Sequence, residues 1–115
     1  MRKYPSGTIT WAQDPTGTHP ERPVVVISHA DRPYNSVECT VVCLGTNGDQ
    51  YDHQTPELTD NHCIGITFGS QTYLLPWAIY TIAPSSLLQG KPIGQLSKEG
   101  EKLVAESLYK LVRAG

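Results

Sequence analysis

Four β-branched residues stand in succession at Val24-Val25-Val26-Ile27, between Pro23 and Ser28. Two heavy atoms on each Cβ stiffen the side chain and crowd the preceding turn of a helix. The run therefore favours a strand, and its lack of polar alternation favours one buried on both faces. Residues 23–28 are expected to form the core strand around which the other elements pack. Upstream, Asp14-Pro15-Thr16 is a turn-forming triplet. A loop then ends in Arg22, at the mouth of the core strand. This places an arginine with a fixed base and a free tip, which suits the clamping of a phosphate. A surface salt bridge at a strand start is the plainer reading of the same residue.

With 115 residues the chain suffices for one domain with one core, residues 1–115, and is too short for two. Gly (10) and Pro (9) are frequent while apolar residues make up 38%, so short strands, many turns and a compact core are expected. A net charge of −2 argues against tight, sequence-blind nucleic-acid binding. It leaves room for a local basic patch, for which Arg22 and Arg32 are candidates. The cysteines Cys39, Cys43 and Cys63 are odd in number and form no CxxC, which fits reduced thiols in the cytoplasm. A zinc site built from them and His62 would match no common zinc module, and no metal is expected. No apolar run is long enough to span a membrane, and Met-Arg-Lys-Tyr-Pro at the N-terminus lacks an apolar signal core. A cytoplasmic protein without a membrane partner is expected.

Taken in order, residues 1–7 read as an arm and Thr8–Ala12 as a short strand. Gln13–Glu21 is a polar loop, followed by the core strand and a turn-prone loop over His29–Val37. Glu38–Leu44 is a second buried strand, ended by Gly45-Thr46-Asn47-Gly48-Asp49. Residues 50–62 form a long polar connection with room for one weak strand. Cys63–Ile66, Gln71–Leu75 and the stretch from Trp77 to Ile82 read as further strands, the last placing Trp77 and Ile79 on one face. Ser97–Arg113 is the one helix: Ser97 is a suitable N-cap, and Glu99, Glu101, Lys110 and Arg113 complement its dipole. Leu103, Val104, Ser107, Leu108, Leu111 and Val112 form its apolar stripe, expected to close the core or a dimer seam. Five or six short strands and a C-terminal helix define a mainly β fold, a small SH3-like barrel.

Gly7-Thr8-Ile9-Thr10-Trp11, Asp14-Pro15-Thr16 and Arg22-Pro23-Val24-Val25-Val26-Ile27-Ser28 resemble, in order and spacing, the opening of the MazF/PemK family of toxins. Val41-Val42-Cys43-Leu44-Gly45-Thr46 is similar to the family's second core strand, which ends in a threonine. Ile93-Gly94-Gln95-Leu96-Ser97 before the helix is also similar. The resemblance implies a MazF/CcdB-like barrel that forms a homodimer. It also implies cleavage of single-stranded RNA without metal or other cofactor, under control of a cognate antitoxin protein.

That chemistry needs the RNA 2′-hydroxyl as nucleophile, a base, an acid for the leaving 5′-oxygen, and a cation for charge developing on phosphorus. Arg22 and Thr46 match the family's catalytic pair, as cation and hydroxyl donor to one phosphate. His19 keeps the spacing Asp-Pro-Thr-x-x-His and suits proton transfer near neutrality, as base or acid. A solvated loop histidine is the alternative. His29, His53 and His62 read as loop residues. Thr16, Arg32, Ser70, Gln71 and Tyr73 are candidate RNA contacts, while Trp77 reads as core or dimer interface rather than as a base-stacking platform. The chain departs from the family where relatives carry Arg-x-Asp, since Gly69-Ser70-Gln71-Thr72-Tyr73 lacks the acid. A second reading is therefore a non-catalytic protein of the same fold, either a topoisomerase-directed toxin of the CcdB type or an inactive homologue. The terminal Leu111-Val112-Arg113-Ala114-Gly115 lacks the apolar-aromatic end expected of the former. A third reading, an SH3-like module for proline-rich ligands, lacks an evident acidic and aromatic groove.

Overall fold

The computed structural model describes residues 4–29, 31–34, 37–47 and 54–113. His53, the Gly48-Asp49 stop, the start of the 50–62 connection and Ala114-Gly115 lie outside the described residues. Among the described residues seven strands form one sheet: β1 (Thr8–Gln13), β2 (Glu21–Val26), β3 (Cys39–Gly45), β4 (Glu57–Leu58), β5 (Cys63–Ile64), β6 (Thr72–Ile82) and β7 (Gly94–Leu96). Their order is β4-β6-β3-β2-β1-β7-β5, every pairing is antiparallel, and the sheet curls into a nearly closed barrel. The two edge strands, β4 and β5, are two residues long, which leaves little ladder open to unwanted pairing. Helix α1 (Lys98–Val112) follows β7 directly.

The β-branched run is buried on both faces, as its composition requires. Val24 and Val26 pack with Ala12, Cys39, Val41, Cys43, Ala78 and Leu87. Val25 points the other way, to Ile9, Val42, Leu44, Leu58, Leu74, Leu96 and Val104 of α1. The strand begins at Glu21 rather than at 23, because Glu21 and Arg22 pair with Gln13 and Ala12 of β1. Tyr4, expected in a loose arm, is buried in the first cluster. Cys39 and Cys43 belong to that cluster and Cys63 to the second, so the considered zinc ligands do not share a site.

The two strands expected on either side of Pro76 are one strand. β6 runs through the proline, and its pairing with β3 jumps there, from Leu75 opposite Cys43 to Ile79 opposite Val42. Proline has no N–H for a ladder, and the jump seats it where none is needed. Cys63–Ile66 shortens to β5. His62 belongs not to a loop but to a 3-10 turn, Asp60–His62, where its Nδ1 accepts the Thr59 amide at 2.8 Å. β7 is an additional strand. At the start of α1 the Ser97 hydroxyl accepts the Gly100 amide at 3.1 Å, as an N-cap should. Val104 is buried and Leu103 and Leu108 pack against the core, while Leu111 and Val112 remain exposed.

Candidate functional site

The site is built on the β1–β2 connection. The Gly17 amide donates to the Asp14 carbonyl at 3.1 Å, closing a turn with Pro15 and Thr16 at its centre. Gly17 has φ +79°, a conformation that glycine adopts without steric cost. The Asp14 carboxylate then gathers the loop. Its Oδ1 accepts the Thr16 amide at 2.9 Å, the Thr16 hydroxyl at 2.7 Å and Arg22 Nε at 2.9 Å. Its Oδ2 accepts the Thr18 hydroxyl at 3.0 Å and the His19 amide at 2.9 Å. The Asp14 side chain is fully buried. Burial favours its protonated form, but the hydrogen bonds from Arg22, Thr16 and His19 outweigh this and hold the carboxyl well below the usual carboxylate range.

Arg22 is held at its tip as well as at its base, contrary to the expectation of a free tip. Besides Nε on Asp14, Nη1 donates to the Leu44 carbonyl at 3.0 Å and Nη2 to the Thr18 hydroxyl at 2.9 Å. These bonds arise because Arg22 lies within β2, so that its side chain crosses the end of β3. Gly45 makes the crossing feasible: a Cβ there would stand 3.1 Å from Nη1 and 3.3 Å from Leu75 Cδ1. A guanidinium has five N–H groups. Three bonds leave two, one on each Nη, for a further acceptor.

Arg22 lines a cleft of about 660 Å³, together with Thr16, His19, Thr46 and Ser70. Thr46 follows the last residue of β3, and His19 stands exposed on the connecting loop. Five of the eight residues singled out from sequence thus share one cavity. Arg32, Gln71 and Tyr73 do not line it. Arg32 sits beyond the far end of the β2–β3 hairpin, on Glu38 at 3.1 Å and the Pro33 carbonyl at 2.7 Å, so no patch joins it to Arg22. Gln71 Oε1 accepts instead from the Tyr73 hydroxyl, at 3.5 Å.

Several lining residues were not anticipated as site residues. Glu21 carries an ion pair to Lys91 at 2.7 Å, and Lys91 Nζ lies 6.0 Å from the Trp11 ring centroid. Trp11, Phe68, Trp77 and Tyr80 contribute aromatic lining to the cleft. The anchoring role of Asp14 was missed, although Asp-x-Thr-x-Thr in a Pro/Gly turn is a recognisable pattern of carboxylate-to-amide bonding. Trp77, expected in the core or a dimer interface, is 45% exposed and lines the cleft; its position depends on how β6 pairs with β3.

The family model for the PemK-like, MazF-like toxin of type II toxin-antitoxin systems matches residues 6–112. The chain belongs to this family. No curated protein matches it by sequence. Among solved structures, the chain resembles an endoribonuclease from a mycobacterial species in complex with its cognate antitoxin. That likeness has 15% identity and a TM-score of 0.68 over 96% of this chain and 93% of the other. A second mycobacterial endoribonuclease matches at 14% identity and a TM-score of 0.62, over 96% and 91% of the two chains. At such identities the likeness carries the PemK/MazF fold, which agrees with the barrel expected from the strand pattern.

Proposed function

We propose that this family member is a toxin endoribonuclease that cleaves single-stranded RNA. The observation that carries the reading is the shared cleft of Arg22, Thr46 and His19, with Arg22 held rigidly by Asp14, Thr18 and the Leu44 carbonyl. In this reading the two remaining N–H groups of Arg22 hold non-bridging oxygens of one phosphate, and the Thr46 hydroxyl donates to the same group. The neighbouring ribose supplies the nucleophile. Its 2′-oxygen attacks phosphorus, the bond to the 5′-oxygen breaks, and a 2′,3′-cyclic phosphate and a 5′-hydroxyl result. His19, exposed at the rim, takes the 2′-proton or gives one to the leaving oxygen. Because the substrate carries its own nucleophile, this step needs no metal-activated water. Thr16 and Ser70 line the path of the strand, and the acid missing near Ser70 has no part in the step.

The structural neighbour solved with its antitoxin supports a cognate antitoxin as the regulator. The family resemblance adds a homodimer and the cytoplasm as the place of action. The test is cleavage of a long single-stranded RNA in EDTA by the wild-type protein and by Arg22→Ala, with unfolding measured in parallel. Cutting by the wild type with cyclic-phosphate ends, and a loss of about 100-fold or more in the variant, is expected. Equal cutting by both, or none by a folded wild-type protein, overturns the proposal.

A further inference from the structure

Trp77 and Tyr80 both line the cleft that holds Arg22, and both lie on β6. In a regular strand, residues three apart face opposite sides of the sheet. Here Trp77 lies inside a jump in the pairing with β3 and Tyr80 follows it, opposite Val41, and both line the cleft. Cys43 stands opposite Leu75, and the next residue of β3, Val42, stands opposite Ile79. Pro76, Trp77 and Ala78 are the surplus residues. Bulges of this kind re-aim a side chain, and they recur beside functional sites. Pro76 is buried and has no N–H to lose from the ladder, so the interruption leaves no orphaned donor at that residue. Trp77 is 45% and Tyr80 36% exposed, while Ala78 between them is buried. Both aromatic residues border the cleft, Trp77 also bordering a second cavity against Leu103, Ser107 and Leu111 of α1, while the small Ala78 packs in the core.

Their position relative to Arg22 follows from the same strand. The Cβ position of Gly45 lies within van der Waals reach of both Arg22 Nη1 and Leu75 Cδ1. Trp77 is two residues beyond Leu75, and both line the cleft with Arg22. The cleft therefore offers hydrogen-bond donors to a phosphate and aromatic rings within one cavity.

We propose that Trp77 and Tyr80 form a stacking subsite for the nucleobase adjoining the phosphate held by Arg22. The inference rests on the reading of the cleft as an RNA site. Aromatic platforms beside a cation suit unpaired bases, which a duplex keeps stacked and out of reach. Stacking tolerates every base, so this subsite selects single-stranded character and leaves sequence choice to polar groups elsewhere.

The test begins by mapping where the wild-type protein cuts a long RNA. A short RNA containing that site, with a 2′-deoxy sugar at the attacking ribose, then serves as an uncleavable probe. Trp77→Leu, which keeps apolar bulk without a π face, is expected to weaken binding about 10- to 100-fold. Trp77→Phe restores it to within about threefold of wild type, and Tyr80→Leu against Tyr80→Phe repeats the contrast. An abasic scan of the probe gives the independent readout. Removing one base beside the cut site weakens binding to the wild-type protein and costs Trp77→Leu nothing further. Wild-type affinity in Trp77→Leu overturns the proposal. So does equal abasic sensitivity in both proteins, and if sedimentation also shows altered assembly, Trp77 packs against a second copy. A folded wild-type protein that neither cuts nor binds RNA overturns the RNA reading itself, and the subsite with it.

Discussion

Removing the Asp14 carboxylate should damage this protein more than removing the arginine it holds. Asp14 accepts five hydrogen bonds, of which Arg22 supplies one. In Arg22→Ala the carboxylate keeps four partners. In Asp14→Ala the guanidinium stays mostly buried without its counter-charge, and the Thr16 and His19 amides lose their acceptor. Breaking a buried pair from one side costs about 3–5 kcal/mol, against a total stability of about 5–15 kcal/mol. Asp14→Ala is expected at that level and Arg22→Ala at about 2 kcal/mol. Asp14→Asn keeps the shape but turns an amino group towards donors, for a cost of about 2–3 kcal/mol. Urea unfolding at constant m-value measures all three, and the double mutant should show a coupling of about 2 kcal/mol. The pH dependence has a definite sign. A depressed folded-state pKa adds stability that is complete above the ordinary carboxylate value of about 4. It is lost as pH falls below that value. Wild type and Asp14→Asn should therefore converge in stability in acid. A coupling below about 0.5 kcal/mol, or a constant difference from pH 7 down to pH 2, would refute the Asp14–Arg22 linkage.

Other positions give simpler expectations. Gly100→Ala raises helix propensity by about 1 kcal/mol, yet its methyl collides with the His62 carbonyl. It should lower stability by about 2 kcal/mol in thermal or urea unfolding. Ser97→Ala, at the N-cap of the same helix, should cost about 1 kcal/mol by the same measurements. Gly45→Ala pushes on Arg22 Nη1 and Leu75. RNA cleavage should fall about 10-fold, while the unfolding midpoint moves little. Burial pushes the Cys43 thiol up to about 11, with Arg22 pulling it down and Asp14 adding to the rise. A disulfide reagent at pH 8 should modify Cys43 only after unfolding, and the less buried Cys63 should react first in the native protein.

What the sequence disclosed depended on how locally each feature is determined. The double burial of β2 was legible because steric crowding at Val24-Val25-Val26 acts within the residues themselves. The Ser97 cap was legible for the same reason, since its hydroxyl reaches only to Gly100. The grouping of Arg22, Thr46 and His19 was suggested by motif order and placed in one cleft by the register of β1, β2 and β3. By contrast, Pro76 looked like a break because the consequence of a missing N–H depends on the partner strand. β3 slips past it, and one long strand results. The held tip of Arg22 depends on Leu44 and Gly45, more than twenty residues away. Tyr4 was assigned to an arm because nothing local shows that it joins the buried cluster containing Val26 and Leu87.

Glu21 and Arg22, the acidic and basic residues that line the cleft, are each paired with an opposite charge. Arg22 is matched by Asp14 and Glu21 by Lys91. Such a cleft projects little long-range field, and a chain of net charge −2 adds no attraction for polyanions. RNA engaged there would displace few counterions, so its affinity should decline only gently with salt. Encounter should proceed near the unsteered rate of about 10⁵–10⁶ M⁻¹s⁻¹. A nuclease arranged in this way is not held on nucleic acid by charge. It waits for a strand whose phosphate and base both fit, and that selectivity at encounter limits the damage a small amount of unrestrained toxin can do.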